Sequence, residues 1–283
     1  MTVNKFNGIN RFLKGKGSFC ALLLAMIFLF TTSIVAYAVE APTAEPPAAT
    51  YGGTQNVELK TKSVAASVYY TTDGTDPTTT TGTLYIDPIE VETNMTIKAY
   101  ATDGTDNSSV STFEYILFAG GSGTEADPYQ VATAEQLNNV RYHLDGHFKQ
   151  TENIDLGVAP YNTDPGWEPI GDGDFPFTGT FDGNGKTICS LTINQSNTYV
   201  GLFGATGDTA EIENVKLEDT DVTGQGIGTL VGWNQGKITN SNAIGAVTGV
   251  DYVGGLMGEH GDGSITDSYA TGAVDHRYKM PGL

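Results

Sequence analysis

Residues able to carry chemistry are few in this chain, and their spacing decides what they could do. The nearest approach to a metal motif is His143-Leu144-Asp145-Gly146-His147. Two histidines four apart can share a helical face and bind zinc. Gly146 breaks a helix between them, however, and no glutamate or third ligand stands at the required spacing, so a solvent-exposed helix end is the expectation. Asp172-Gly173-Asp174 and Asp182-Gly183-Asn184 offer the oxygens that calcium takes. The same residue types suit tight turns, which is the plainer reading, and no cofactor is expected. A glycosidase needs two carboxylates across one cleft, and nothing in the sequence nominates such a pair. No His-Glu-x-x-His run, Gly-x-Ser-x-Gly elbow or phosphate-binding loop occurs.

Aromatic side chains are the better binding candidates. Tyr69 and Tyr100 stand, by strand alternation, on the face opposite the core that Val68 and Ile97 define. An exposed tyrosine can stack on a sugar ring, its apolar body and polar tip matching both parts of a pyranose. Trp233 follows Gly232 where equivalent positions hold Ala205 and Glu259, so that site is not forced to be apolar. Tyr69, Tyr100 and Trp233 are therefore the candidate carbohydrate contacts, although single aromatics on sheet surfaces are ordinary. Trp167 is expected in the core.

The elements that position these residues are strands. Helix formers are scarce, while Gly, Thr, Asn, Asp and Tyr are plentiful, which points to an all-β chain. Residues 1–38 stand apart. Lys5, Arg11, Lys14 and Lys16 precede an apolar run from Phe19 to Phe30, and Ala36-Tyr37-Ala38 supplies a small-x-small cleavage site. This reads as a signal peptide directing the chain to the extracellular space or cell surface. An uncleaved anchor is the alternative, but the run is short for a spanning helix. Its removal takes four of the 14 basic residues and none of the 33 acidic ones, moving the net charge from −19 to −23. Such a surface repels phosphate backbones and anionic lipid, so neither nucleic acid nor membrane insertion after cleavage is expected. Cys189 is then the only cysteine, and no internal disulfide is available.

Residues 39–50 are rich in Pro and Ala and read as an extended linker or an edge segment. Residues 51–118 show period-two alternation: Val57 and Leu59, then Val68 and Tyr70, then Ile97, Ala99 and Ala101. Asp73-Gly74 and Asp103-Gly104 mark turns. The spacing predicts a small antiparallel β-sandwich. The residues Tyr69-Tyr70-Thr71-Thr72-Asp73-Gly74-Thr75-Asp76-Pro77-Thr78 and Thr96-Ile97-Lys98-Ala99 resemble the Ig-like domain at the C-terminus of chitobiases and β-hexosaminidases. That resemblance implies an accessory or spacer role and brings no catalytic residues.

Residues 119–274 begin with one helix, for which Thr133-Ala134-Glu135-Gln136 is a capping box and Leu137, Val140 and Leu144 form one face up to Gly146. Repetition follows. Gly201-Leu202-Phe203-Gly204, Thr229-Leu230-Val231-Gly232 and Gly255-Leu256-Met257-Gly258 recur at spacings of 28 and 26 residues. Ile212-Glu213-Asn214, Ile238-Thr239-Asn240 and Ile265-Thr266-Asp267 follow them in the same order, as do Gly245-Ala246-Val247 and Gly272-Ala273-Val274. A fixed period of this size predicts stacked coils of a parallel β-helix, or solenoid, with Leu202, Leu230 and Leu256 in an internal column. Asn214 and Asn240 are expected at corners, their amides bonded to neighbouring backbone. These residues resemble the GLUG repeat of bacterial surface proteins, with Gly121–Leu156 similar to its lead-in and Phe177–Gly185 to its first coil. In that family the repeat is a scaffold, found in large adhesin-like proteins and beside immunoglobulin A protease-type metallopeptidases.

Residues 275–283 break the pattern and are expected to be an irregular tail, consistent with a truncated solenoid. The leading functional reading is a secreted or cell-surface structural, adhesin-like protein with no catalytic activity, its partners being cell-wall or host glycans or surface proteins. The alternatives are a non-catalytic N-terminal portion of a larger secreted hydrolase and a carbohydrate-binding module.

Overall fold

Alternating apolar residues in the first half of the chain close two sheets over a shared core. The computed structural model describes residues 38–277, so the expected signal peptide lies almost wholly outside the described residues, as do residues 278–283. Strand β3 (Gln55–Lys60) lies between β1 (Thr43–Glu45) and β6 (Ile89–Val91) in an antiparallel three-stranded sheet. The facing sheet runs β2 (Thr50–Gly52), β8 (Ser111–Phe118), β7 (Met95–Thr102), β4 (Ser67–Thr71), β5 (Thr83–Leu84). Its pairings are antiparallel except β2 with β8, which is parallel. Val57, Leu59, Ile89 and Val91 from one sheet, and Val68, Ile97, Ala99, Ala101 and Tyr115 from the other, are buried. Tyr115 donates its hydroxyl to the Pro46 carbonyl at 2.8 Å, and burial pushes its pKa up to about 12. Residues 39–50 are thus no free linker. Thr43–Glu45 form the edge strand, the second of the two expectations, because β3 offers them an open ladder.

The second half is a parallel solenoid of about four turns, and strands make up 47% of the structure. One helix, Ala134–Asn139, precedes most of it and runs into a 3₁₀ turn at Val140–Tyr142. Thr133 Oγ1 accepts from Gln136 N at 3.2 Å, while Gln136 Oε1 accepts from Ala132 N at 2.9 Å. The helical stretch therefore ends at Tyr142, before the expected stop at Gly146.

Each coil contributes to several ladders. Tyr129, Phe148, Phe181, Ile212, Ile238 and Ile265 stand in register along one sheet. Ile154, Ile188, Leu217, Ala243 and Ala270 do so along a second. Phe203, Val231 and Met257 form a third. Identical columns stack at ~4.8 Å, so each apolar side chain covers the next. Leu202 and Leu230 are fully buried, and Leu256 packs partly buried against the same core. Trp167 is fully buried, donating Nε1–H to the Leu202 carbonyl at 3.1 Å.

The corners differ from expectation in one respect. Asn184, Asn214, Asn240 and Asp267 all adopt left-handed backbone, with φ from 46° to 56°. The amides of Asn214 and Asn240 reach along the stack to other side chains, not to backbone. Asn240 Nδ2 donates to Asn214 Oδ1 at 2.7 Å, and Asn214 Nδ2 to Asp182 Oδ1 at 2.8 Å. The parallel stack sets equivalent corner side chains one above another, within hydrogen-bond reach. The tail also begins later than expected, because Val274–His276 pair as a strand with Val247–Gly249.

The described residues from Glu40 to Arg277 belong to one compact unit. Alternation along β8 sends Phe118 to the opposite side from Leu117, into the solenoid core. There it stacks on Tyr129 at 4.4 Å and leans on Phe148 at 5.6 Å. Beside it Asn94 and Asn139 exchange amide hydrogen bonds of 2.8 and 3.0 Å. Asn94 Oδ1 accepts from Leu117 N, and Asn139 Nδ2 donates to the Leu117 carbonyl.

Candidate functional site

The two sandwich tyrosines pair directly across β4 and β7, and their rings stack at 5.9 Å. They do lie on the face opposite Val68 and Ile97, but that face is not open. Tyr100 is only 5% exposed, which corrects the expectation that it is presented to solvent. The excursion between β4 and β5 folds back over this face. Pro77 is buried within it, Lys98 pairs with Asp76 at 2.8 Å, and a Cβ added at Gly82 would stand 3.2 Å from that of Tyr69. Tyr69 remains half-buried above Tyr100.

Trp233 is half-buried on the outside of the solenoid, in register between Ala205 and Glu259. Its ring stacks on Tyr199 at 5.3 Å with an interplanar angle of 24°. Tyr199 was not singled out in the sequence, although a signal was present. Tyr199, Gly226 and Tyr252 occupy one repeat position, each just before the apolar-Gly step, and all three have positive φ. Tyr199 lines a groove of about 350 Å³ on the solenoid flank. Tyr142 and Phe175 also line it, both largely exposed.

The groove's polar groups come from the 3₁₀ turn and two loops. Arg141 lies 5.6 Å above the Trp167 ring, pairs with Glu168 at 3.2 Å, and donates to the carbonyls of Asn138 and Glu168. Burial pulls its pKa down, against the opposing pull of Glu168. Asp172 Oδ1 accepts from the backbone of Asp174 and Phe175, a turn that sets the Phe175 ring outward. Gln195 donates to the Trp167 carbonyl and accepts from Asn197.

The histidine pair does not converge. His143 Nε2 meets Thr50 Oγ1 at 2.8 Å, and His147 Nδ1 meets Thr180 Oγ1 at 2.9 Å. Neither is at a free helix end: β2 of the sandwich packs beside His143, and His147 opens the strand His147–Gln150. Asp182, the first carboxylate of the other calcium candidate, is spent on Asn184 N, Asn214 and Lys149. Among the described residues no group of three or more His, Cys, Asp or Glu side chains is placed to hold a metal ion. Among those residues, too, no helix is long and apolar enough to cross a membrane.

Comparison with known proteins meets both resemblances read from the sequence. Residues 46–113 match the chitobiase/beta-hexosaminidase C-terminal domain, and residues 249–275 match the GLUG motif. A "Putative Gly-rich membrane protein" of Evansella cellulosilytica is 40% identical over 139 residues, covering 47% of this chain and 16% of that protein. "Halomucin" of Haloquadratum walsbyi is 32% identical over 193 residues, covering 65% of this chain and 2% of that protein. The chain therefore spans a small part of the length of these relatives. A crystal structure described as a "putative immunoglobulin A1 protease" from Bacteroides ovatus aligns with a TM-score of 0.43 and 24% identity, over 55% of this chain and 50% of the other.

Proposed function

We propose that this chain is an exported, cell-surface structural protein of adhesin type that catalyses no reaction. The observation that carries this reading is the junction between sandwich and solenoid. Phe118 is a sandwich residue completing the solenoid core, and the Asn94–Asn139 pair locks the seam beside it. Asn139 is fully buried with both amide hydrogens and its oxygen bonded, and such a pair resists reorientation, since breaking it strands polar groups away from water. A joint of this kind suits a protein that must hold one module at a fixed disposition to another.

A relative named as a membrane protein supports an envelope setting, and the basic-then-apolar start of the chain supports export. Intact producing cells treated with an impermeant protease test the placement. The expected result is loss of the protein from whole cells and an N-terminus at Val39. Protection from the protease, with residues 1–38 retained, would contradict it. Purified protein is also expected to hydrolyse neither peptides nor glycans above background. Turnover that disappears on replacing a carboxylate or histidine of this chain would overturn the non-catalytic part.

A further inference from the structure

We propose that the groove between Tyr142, Phe175 and Tyr199 binds a neutral oligosaccharide of pyranose units. This adds a ligand class to the surface-protein reading and rests on that reading only for its biological setting. Phe175 is 70% exposed and Tyr142 58% exposed. Large rings scattered singly need no explanation, but here they border the same concavity as a third ring, Tyr199.

Tyr199 is held in advance of any ligand. One side is stacked on Trp233, and its backbone is in the left-handed region at φ 64°. A Cβ added at Gly173 would stand 3.4 Å from Cε2, and one added at Gly226 would stand 3.5 Å from Cδ1. The Gly173 and Gly226 backbones thus lie close beside both edges of the ring. A ring fixed beforehand loses little freedom on binding, which favours affinity. Aromatic faces take the C–H side of a pyranose, and hydroxyls need fixed amides and carboxylates nearby. Asn197, Glu168 and Asp172 supply these groups around the rings.

Charge selects among sugars. Arg141 is the groove's one cation, and its guanidinium is committed to Glu168, two backbone carbonyls and the Trp167 face. The carboxylates of Glu168 and Asp172 then leave the groove net negative, on a chain of net charge −19. An acidic sugar would be repelled, whereas a neutral one uses the carboxylates as acceptors.

The test titrates the purified protein with hexasaccharides of N-acetylglucosamine and of β-linked glucose, followed by tryptophan fluorescence and calorimetry. Hexagalacturonate and hexalysine serve as charged probes. At least one neutral hexasaccharide is expected to bind with a Kd of about 1 mM or tighter. Phe175→Ala and Tyr142→Ala, both at exposed positions, should each weaken it about tenfold, a loss of about 1.4 kcal/mol. Tyr69→Ala should leave it unchanged. Failure of both neutral sugars to bind, tighter binding of either charged probe, or parental affinity in both groove variants would overturn the proposal.

Discussion

Leu230 illustrates how one side chain reports on the stack around it. It is fully buried, with its backbone N–H bonded to the Leu256 carbonyl at 2.9 Å and its own carbonyl accepting from Phe203. Leu230→Asp would bury an unpaired charge and should cost several kcal/mol, enough to unfold the coils. Parental thermal stability in that variant would contradict the internal column. Asn139 makes a separate point. Asn139→Ala leaves Asn94 and the Leu117 carbonyl short of a partner in a buried seam, so a loss of about 1–3 kcal/mol is expected by denaturant titration. At this scale the sequence was legible where burial follows periodicity, as at Leu202 and Leu230. It was less so at Tyr100, because alternation assigns a face but cannot reveal that the Pro77 loop folds over it. Tyr199 escaped notice for a related reason: its partner Trp233 lies one coil away, and only stacking brings them together.

Elements of the solenoid were legible because each coil repeats its neighbour. Columns such as Ile212, Ile238 and Ile265 can be read by aligning the repeats, and the ladders follow that alignment. The helix end and the first strand were harder, since both are set by what packs beside them. Corner residues offer a test of what the element needs. Asn240 supplies both a left-handed backbone at φ 46° and one link of the amide ladder. Asn240→Gly removes only the link, whereas Asn240→Ala also forces an L side chain into the left-handed region at a further ~1–2 kcal/mol. Thermal melts should rank the parent above Gly and Gly above Ala. Equal melts for Gly and Ala would mean the corner conformation contributes nothing.

At the scale of the whole molecule, the seam between sandwich and solenoid carries a titratable group. His143 sits against Thr50 and beside the rings of Phe118 and Tyr129. Burial lowers its pKa below the ordinary 6.5, against a smaller opposing pull from Asp145. The unfolded chain therefore binds more protons just below that value. Stability from this group is complete above 6.5 and declines as pH falls toward the folded pKa. Melting temperature should drop as pH falls below about 6.5, and His143→Gln should flatten that slope. An identical slope in the variant would place the effect elsewhere.

The seam was not legible in the sequence, where residues 118 and 119 looked like a boundary between independent domains. Phe118 and Asn139 have unremarkable neighbours along the chain, and their role exists only across the joint. Scanning calorimetry of the purified protein tests that joint most directly. One transition is predicted, with calorimetric and van't Hoff enthalpies in agreement, because Phe118 and the Asn94–Asn139 pair tie the two halves into one compact unit. Two resolved transitions, unchanged by Phe118→Ala, would contradict a single rigid body and with it the case for a structural display protein.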